Sequence, residues 1–201
     1  MRQLHEPRAV LFDLDGTLTD TFELWYQAVR ALLARHLGTD LDREVYRQKW
    51  WGMDGRGKVR GLLGSEEEQV EEHYADLVEL LMEKVPLVRP LPGRAEALEA
   101  SSIRLPLAVI SNGPMRFLEA QLRQVGFDRY FAVRIADAEP KPAPDGILRA
   151  CAELKVKPAD ALFVGDSRFD SEAAANAGSP VLIVREDERL DERMTLEIGA
   201  L

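Results

Sequence analysis

Short apolar runs that alternate with helical patterns constrain the fold of this 201-residue chain more than any other feature. Each run is too short for a buried helix and is apolar at successive positions, as strands covered on both faces are. Strands that alternate with helices form βαβ units and a parallel sheet with helices on both sides. The sequence therefore predicts an α/β protein with a doubly wound, Rossmann-like parallel sheet. The runs are "RAVLFD" near the N-terminus and residues 105–111, 132–136, 161–165 and 181–184.

One connection does not fit a simple alternation of strands and helices. Residues 14–104 separate the first two predicted strands, which is far longer than an ordinary crossover. Apolar residues recur there at helical spacing, and Asp20-x-x-Glu23 and Ser65-x-x-Glu68 match the capping box that begins many helices. The proline-rich "VPLVRPLPG" is typical of a stiff return linker. We therefore expect a helical domain at residues 22–88, inserted into a core domain made of residues 1–21 and 89–201.

Composition excludes several classes of function. Lys and Arg number 26 against 35 Asp and Glu, which gives a net charge of −9 and argues against nonspecific binding to nucleic acid or anionic membranes. No apolar run approaches the roughly 20 residues of a membrane span, and no signal peptide precedes the first strand. With a single cysteine, Cys151, no intrachain disulfide can form. We expect a cytoplasmic enzyme that acts as a monomer or homodimer.

Polar side chains follow four of the predicted strands. The carboxyl ends of parallel strands meet at one edge of a doubly wound sheet, which is the usual place of its active site. We therefore expect these side chains to converge in one crevice. They are Asp13 and Asp15 after the first strand, Ser111, Asn112 and Gly113 after the second, Lys141 after the third, and Asp166 and Asp170 after the fourth.

The residue types in this set point to phosphoryl transfer. Crowded carboxylates repel one another unless a cation lies among them, and oxygen ligands without His or Cys favour a hard cation such as Mg²⁺. The segment from Ser111 to Gly113 offers phosphate donors just before a predicted helix. Lys141 supplies a positive charge for a phosphate or for the carboxylate of a nucleophile. One aspartate can attack phosphorus while a second transfers a proton.

The segments "DLDGT", "SNG", "KPAPD" and "GDSRFD" occur in this order. Together they resemble the four motifs of the haloacid dehalogenase (HAD) superfamily, over residues 10–184. The helical insertion after the first motif is similar to the C1 cap of the branch that contains phosphoglycolate phosphatase and β-phosphoglucomutase. The resemblance implies a Mg²⁺-dependent phosphatase that acts on a small phosphorylated metabolite, with phosphoglycolate as the leading substrate.

The resemblance also implies a role for each motif residue. Asp13 corresponds to the nucleophile, and Asp15 to the general acid and base, whose backbone carbonyl binds Mg²⁺. An aspartate at this second position is typical of phosphatases and phosphotransferases and is lacking in true dehalogenases. The other roles concern the phosphate and the metal. Ser111, Asn112 and Gly113 hold the phosphoryl group, Lys141 neutralises charge between Asp13 and phosphate, and Asp166 and Asp170 join Asp13 and Asp15 at Mg²⁺.

Two alternative functions remain open at this point. A sugar-phosphate mutase of the β-phosphoglucomutase type has a cap histidine twelve residues after the nucleophile, and here that position is Trp25. A noncatalytic phosphoacceptor or binding protein also uses Asp, Mg²⁺ and Lys, but it lacks the Asp-x-Asp spacing and needs no long insertion. Asp170 has a structural alternative as well, because it could serve only as the N-cap of the following helix.

The stretch "KWWGMDGRGKVRGLLG", residues 49–64, is the predicted substrate-facing loop of the insertion. Gly52 matches the glycine-led loop of related caps, and Arg56 or Lys58 is a candidate for binding an anionic group of the substrate. An equally simple interpretation is a helical corner with solvated charges. Trp50 and Trp51 are expected to belong to the core.

Overall fold

The computed structural model of the chain describes residues 6–136 and 138–198. Three short 3₁₀ turns (Val85–Leu87, Asp128–Tyr130 and Pro158–Asp160) supplement the regular elements. The strands are β1 (Ala9–Asp13), β2 (Thr19–Asp20), β3 (Arg89–Pro90), β4 (Leu107–Ile110), β5 (Phe131–Ile135), β6 (Ala161–Gly165) and β7 (Val181–Ile183). The helices are α1 (Phe22–Leu37), α2 (Arg43–Lys49), α3 (Gly55–Leu63), α4 (Glu67–Met82), α5 (Arg94–Ser102), α6 (Met115–Val125), α7 (Asp145–Leu154), α8 (Arg168–Ala177) and α9 (Leu190–Ile198).

Five parallel strands form the central sheet in the order β5-β4-β1-β6-β7. Strand β1 lies in the middle, and all five of its residues are buried, because helices cover the sheet on both faces. Apolar side chains of α5, α6 and α9 pack on one face, and those of α7 and α8 pack on the other. The α/β architecture with a doubly wound parallel sheet is therefore confirmed.

Helices α1 to α4, here called the helical module, lie between β1 and the rest of the sheet in the chain. They share an apolar cluster of their own, which Phe117 of α6 also joins. The two chain crossings that connect the module to the sheet pair with each other as the antiparallel ribbon β2-β3. Among the described residues, no helix combines the length and apolar character that a membrane crossing requires.

The capping boxes expected at Asp20 and Ser65 are wrong. Thr21 precedes α1 and Glu66 precedes α4, and neither side chain caps its helix. The Thr21 hydroxyl donates to the carboxylate of Asp15 at 2.8 Å, and the Ser65 hydroxyl instead pairs with a ring nitrogen of His73 at 2.7 Å. Both helices have 16 residues and a buried apolar face, so tertiary packing holds them without these caps.

The C-terminal segment, whose conformation the sequence leaves undetermined, ends in α9. Leu190 and Met194 of this helix are fully buried in the cluster under α5. Arg94, which has no exposed surface, binds this segment to the rest of the core through its guanidinium. It donates to the backbone carbonyls of Thr17 at 2.8 Å, Pro92 at 2.7 Å and Arg185 at 3.0 Å, and also to that of Glu188.

Candidate active site

The candidate site lies at the carboxyl edge of the three central strands. In the register of the sheet, Asp13 at the end of β1 stands beside Ile110 of β4, and Val164 of β6 stands beside Phe12. The polar segments that follow these strands therefore begin at the same level. They line one small cavity, here called the catalytic cavity, together with residues of the helical module.

Three carboxylates and one ammonium group form the centre of this site. Oxygens of Asp13, Asp166 and Asp170 lie within 4.8 Å of one another. Lys141 Nζ donates to Asp13 Oδ1, and it also donates to Asp170 Oδ1 at 2.6 Å. The side chains of Asp13, Lys141 and Asp170 are at least nine-tenths buried, so water screens their charges weakly.

Burial and mutual repulsion shift the pKa values of this group. Burial raises the pKa of Asp13 well above its usual range, and the neighbouring carboxylates add to this rise while Lys141 opposes it. Burial and the charge of Asp170 raise the pKa of Asp166 to about 7. Burial alone would lower the pKa of Lys141, but the carboxylates of Asp13 and Asp170 outweigh it and raise that pKa. One ammonium therefore does not compensate three carboxylates.

This charge deficit tests whether a cation fits the site. The three carboxylates supply hard oxygen donors that converge within 4.8 Å. The raised pKa values of Asp13 and Asp166 indicate that further positive charge would stabilise the ionised forms. Such donors suit Mg²⁺. The side chain of Asp15 stands outside this trio, which leaves its backbone carbonyl as its predicted contribution.

Asp15 lies next to the trio and receives four hydrogen bonds from side chains. Its Oδ1 accepts from Thr21 Oγ1 at 2.8 Å, Trp25 Nε1 at 3.0 Å and Gln121 Nε2 at 3.1 Å. Its Oδ2 accepts from Ser111 Oγ at 3.0 Å. Thr21 lies just before α1 and Trp25 within it, whereas Gln121 belongs to α6 and Ser111 to the β4 loop, so separate parts of the chain fix one carboxylate.

Asp170 is not an N-cap, because Ser167 holds that position before α8. The Ser167 hydroxyl accepts from the Asp170 backbone N–H, and Asp170 Oδ2 accepts from the Ser167 backbone N–H at 3.0 Å and from its hydroxyl at 2.5 Å. This reciprocal capping box orients Asp170 so that its other oxygen meets Lys141. One residue thus takes part both in the start of a helix and in the charged centre.

The predicted phosphate cradle lies at the rim of the cavity. The Gly113 backbone N–H donates to Ser111 Oγ at 2.9 Å. The Asn112 amide donates to the carbonyls of Gly52 at 3.1 Å and Lys141 at 3.2 Å, and its oxygen accepts from the Lys141 N–H at 2.8 Å. Asn112 therefore joins three loops: the β4 loop, the Lys141 loop and the loop of the helical module.

The three candidate substrate-binding residues of the helical module have different surroundings in the structure. Gly52 has a φ of +80°, which a side chain tolerates poorly, and a Cβ there would come within 2.9 Å of the Phe169 ring. Lys58 lines the catalytic cavity. Arg56 lines a wider neighbouring cavity of about 560 Å³, makes a two-bonded ion pair with Glu71 and is not brought to the carboxylate trio.

Lys58 is a buried cation in a cavity otherwise rich in carboxylates. The residue is 2% exposed, its ammonium lies 4.6 Å from the ring centre of Trp25, and it donates to the Met53 carbonyl. No carboxylate of the described residues lies within ion-pair distance of its Nζ. Burial lowers the pKa of Lys58 to about 8, although the charges of Asp54 and Asp15 oppose this shift.

A family model described as "Haloacid dehalogenase-like hydrolase" matches residues 10–184, which include the whole of this site. The chain belongs to this family. As a HAD-like hydrolase of the phosphatase type, it also has curated relatives that span most of its length.

Two curated relatives come from Pseudomonas aeruginosa. Phosphoglycolate phosphatase 1 is 36% identical over 183 residues, which are 86% of this chain and 67% of the relative. N-acetylmuramic acid 6-phosphate phosphatase is 30% identical over 185 residues, which are 89% of this chain and 81% of the relative. Among solved structures, CbbY from Rhodobacter sphaeroides in complex with phosphate is 27% identical, with a TM-score of 0.80 and coverage of 89% of this chain and 86% of that one.

Several residues of the HAD-like site escape the sequence motifs. Thr21, Trp25 and Gln121 bind Asp15 from outside the four motifs. Thr17, which lies in "DLDGT" but to which the resemblance assigns no role, donates from Oγ1 to Asp166 Oδ1 at 3.1 Å. Only Gln121 carries a signal in the sequence, since it is a polar residue on the apolar face of α6. Trp51 packs against the apolar cluster of the helical module, as expected. Its half-buried ring also lines the catalytic cavity and reaches Asp166, which the sequence does not predict.

Proposed function

We propose that the chain is a Mg²⁺-dependent phosphatase that hydrolyses a small phosphomonoester bearing an acid group, by way of an aspartyl-phosphate on Asp13. The observation that carries this proposal is the trio of Asp13, Asp166 and Asp170 around Lys141 at the sheet edge. The phosphate-containing structure of CbbY and the names of the curated relatives agree with it.

In the first step a carboxylate oxygen of Asp13 attacks phosphorus, and the bond from phosphorus to the ester oxygen breaks. Asp15, two residues along, gives its proton to the departing oxygen. Lys141 holds Asp13 in place and balances charge between this carboxylate and the phosphoryl group. The segment from Ser111 to Gly113 would provide donors to the phosphoryl oxygens.

In the second step Asp15, now a carboxylate, takes a proton from a water molecule, whose oxygen attacks the aspartyl-phosphate. The bond from phosphorus to Asp13 breaks, and inorganic phosphate leaves. Asp13, Asp166, Asp170 and the backbone carbonyl of Asp15 would hold Mg²⁺. When bound, this ion supplies positive charge that stabilises the phosphoryl group during transfer.

The position of Lys58 favours a substrate whose leaving group carries an acid. A cation that is 2% exposed and faces the catalytic cavity can gain most of its stabilisation from an anionic ligand. Phosphoglycolate carries a carboxylate next to its phosphate ester and is the simplest substrate of this kind. The cavity lined by Arg56 and Tyr74 lies beside the site and offers room for larger acids.

We also propose that residues 22–88 form the cap domain, and that residues 1–21 and 89–201 form the core domain. The separate apolar cluster of the helical module supports this division, as does the β2-β3 ribbon where both crossings meet. The carboxylates and Lys141 would belong to the core, and Gly52 and Lys58 to the cap. Specificity and chemistry would then reside in different parts of the chain.

The decisive experiment measures phosphate release from phosphoglycolate, N-acetylmuramic acid 6-phosphate and p-nitrophenyl phosphate, with Mg²⁺ and with EDTA. We expect steady turnover with Mg²⁺ and none in chelator, with the two acids preferred over the aryl ester. Asp13→Asn should lose at least about 10³-fold in kcat, because an amide cannot attack phosphorus.

The Asp13→Asn protein should remain folded and unfold at a temperature no lower than wild type, since the substitution keeps the size and removes a crowded buried charge. Turnover that survives in EDTA would contradict the metal requirement. Activity of Asp13→Asn near that of wild type would contradict the nucleophile. A single burst of phosphate without turnover would instead favour a phosphoacceptor protein.

A further inference from the structure

The contact between Trp51 and Asp166 joins the helical module directly to the carboxylate trio. Trp51 Nε1 points at Asp166 Oδ2 from 3.4 Å, while Thr17 Oγ1 donates to Asp166 Oδ1 at 3.1 Å. One oxygen of Asp166 therefore receives a donor from the core loop after β1, and the other faces a donor from the module. The separation in sequence is 115 positions, so no local constraint produces this meeting.

Gly16 provides the space for this contact. Its φ is +86°, and a Cβ at this position would lie 2.6 Å from Asp166 Oδ2 and 3.0 Å from the Trp51 ring. A side chain there would displace either the carboxylate or the indole. On its other side Trp51 packs edge-on against Phe22 of α1, with ring centres 5.2 Å apart, so the module holds the indole from behind.

Trp51 also forms a wall between two cavities. One is the catalytic cavity, and the other is a surface cavity lined by Arg47, Arg185 and Asp187. Asp166 also lines both, so the indole lies beside this carboxylate where the two cavities adjoin. Removing the indole would open Asp166 further to water as well as deprive it of a donor.

We infer that Trp51, which belongs to the helical module, is a positioning residue that orients Asp166 at the metal site. Resting on the proposed function, in which Asp166 binds Mg²⁺, this inference assigns to the module a part in metal binding besides substrate selection. Hydrogen bonds to ligand carboxylates fix their orientation and strengthen metal binding. By linkage, an arrangement of the module that brings Trp51 to Asp166 must bind Mg²⁺ more tightly, and Mg²⁺ must favour that arrangement.

The test is the Mg²⁺ affinity of the substrate-free enzyme, measured by isothermal titration calorimetry. Trp51→Phe keeps a ring against Phe22 but lacks the indole N–H. The dissociation constant for Mg²⁺ should rise about tenfold, which is the lower end of the range expected when a residue that hydrogen-bonds to a metal ligand is replaced. Trp50→Phe is the matched control, because Trp50 packs over Gly61 of α3. It should bind Mg²⁺ as wild type does.

Thermal unfolding without metal checks that both variants are folded. If Trp51→Phe does not fold, Phe22→Leu replaces it, since this change loosens the support of the indole and should weaken Mg²⁺ binding in the same direction. An unchanged Mg²⁺ affinity in Trp51→Phe, or an equal loss in Trp50→Phe, overturns the inference and leaves the phosphatase proposal intact. A wild-type enzyme that neither binds Mg²⁺ nor needs it overturns the proposed metal itself.

Discussion

Lys58 and Arg56 stand two positions apart in α3, yet their surroundings differ at the scale of single side chains. Lys58 is enclosed with Trp25 at the catalytic cavity, whereas 43% of the Arg56 side chain is exposed and its guanidinium pairs with Glu71. Exposed ion pairs of this kind contribute little to stability or binding. The two residues should therefore respond very differently to removal of their charge.

We predict that Lys58→Met raises the KM for phosphoglycolate by about 10- to 100-fold, because a buried charge-assisted contact to the carboxylate is lost. The kcat/KM for p-nitrophenyl phosphate, which has no carboxylate, should change far less. Arg56→Met is the matched control and should alter neither substrate by more than about threefold. Steady-state kinetics of both variants on both substrates would decide this, and equal losses on the two substrates would contradict carboxylate recognition.

The lowered pKa of Lys58 adds a pH dependence with a definite sign. Its ammonium loses its proton near pH 8, so kcat/KM for phosphoglycolate should fall above that pH, and the fall should disappear in Lys58→Met. Between about pH 8 and 10.5 the unfolded chain binds more protons than the folded one, so this group's contribution to stability rises with pH there. At pH 7 Lys58→Met should therefore stabilise the fold, by on the order of 1–3 kcal/mol.

The motif residues of the site can be predicted from sequence because each lies at the carboxyl end of a strand or within a few residues after it. Asp13 and Asp166 are examples, since the end of an apolar run marks their position. Their partners cannot be predicted in this way. Gln121 is 106 positions from Asp15, and Trp51 is 115 positions from Asp166, so only the packing of the module and α6 brings them together.

At the scale of secondary-structure elements, strands and helix starts differ in how well the sequence specifies them. Strand β6 lies where its apolar run predicts, because burial on both faces leaves a continuous signal. The start of α1 does not, because Asp20, the predicted cap, pairs with Arg89 in the β2-β3 ribbon. Thr21, which precedes the helix instead, donates its hydroxyl to Asp15. A local capping signal fails when contacts elsewhere in the fold recruit the residues that would supply it.

Helix α8 allows this coupling of helix and site to be tested. Ser167→Ala removes the hydroxyl that accepts from the Asp170 backbone N–H and donates to Asp170 Oδ2, while the backbone N–H of residue 167 still reaches that oxygen. The free energy of unfolding should therefore fall by about 1 kcal/mol, and kcat should also drop. Urea unfolding and phosphate-release kinetics measure the two effects. Ser171→Ala, in the same helix and outside the catalytic cavity, is the control. A loss of stability with unchanged kcat would show that Asp170 does not depend on Ser167 for its orientation.

At the scale of the whole molecule, Arg94 joins parts of the chain that are far apart in sequence. Its guanidinium binds the loop after β1, the return crossing at Pro92 and the segment before α9. Four backbone carbonyls depend on one buried side chain, and buried carbonyls without partners are costly. The C-terminal segment is therefore held by a polar contact as well as by Leu190 and Met194.

We predict that Arg94→Met lowers the free energy of unfolding by about 2–4 kcal/mol, since several buried carbonyls lose their donor. For a chain of this length that corresponds to a fall in Tm of roughly 4–16 °C. Arg116→Met removes an exposed pair with Glu79 and should change stability by less than about 0.5 kcal/mol. Calorimetry of both variants is the measurement. An equally small change in stability for the two would contradict the structural role of the Arg94 hydrogen bonds.

The β2-β3 ribbon has a consequence for how such enzymes diversify. Because Thr19 pairs with Pro90 and Asp20 with Arg89, the segment between them leaves and re-enters the core at neighbouring points. A segment with adjacent ends can be lengthened, shortened or exchanged during evolution while the path of the remaining chain stays the same. Descendants of one ancestral gene can therefore keep the same catalytic residues and acquire new substrates by exchanging this one inserted segment.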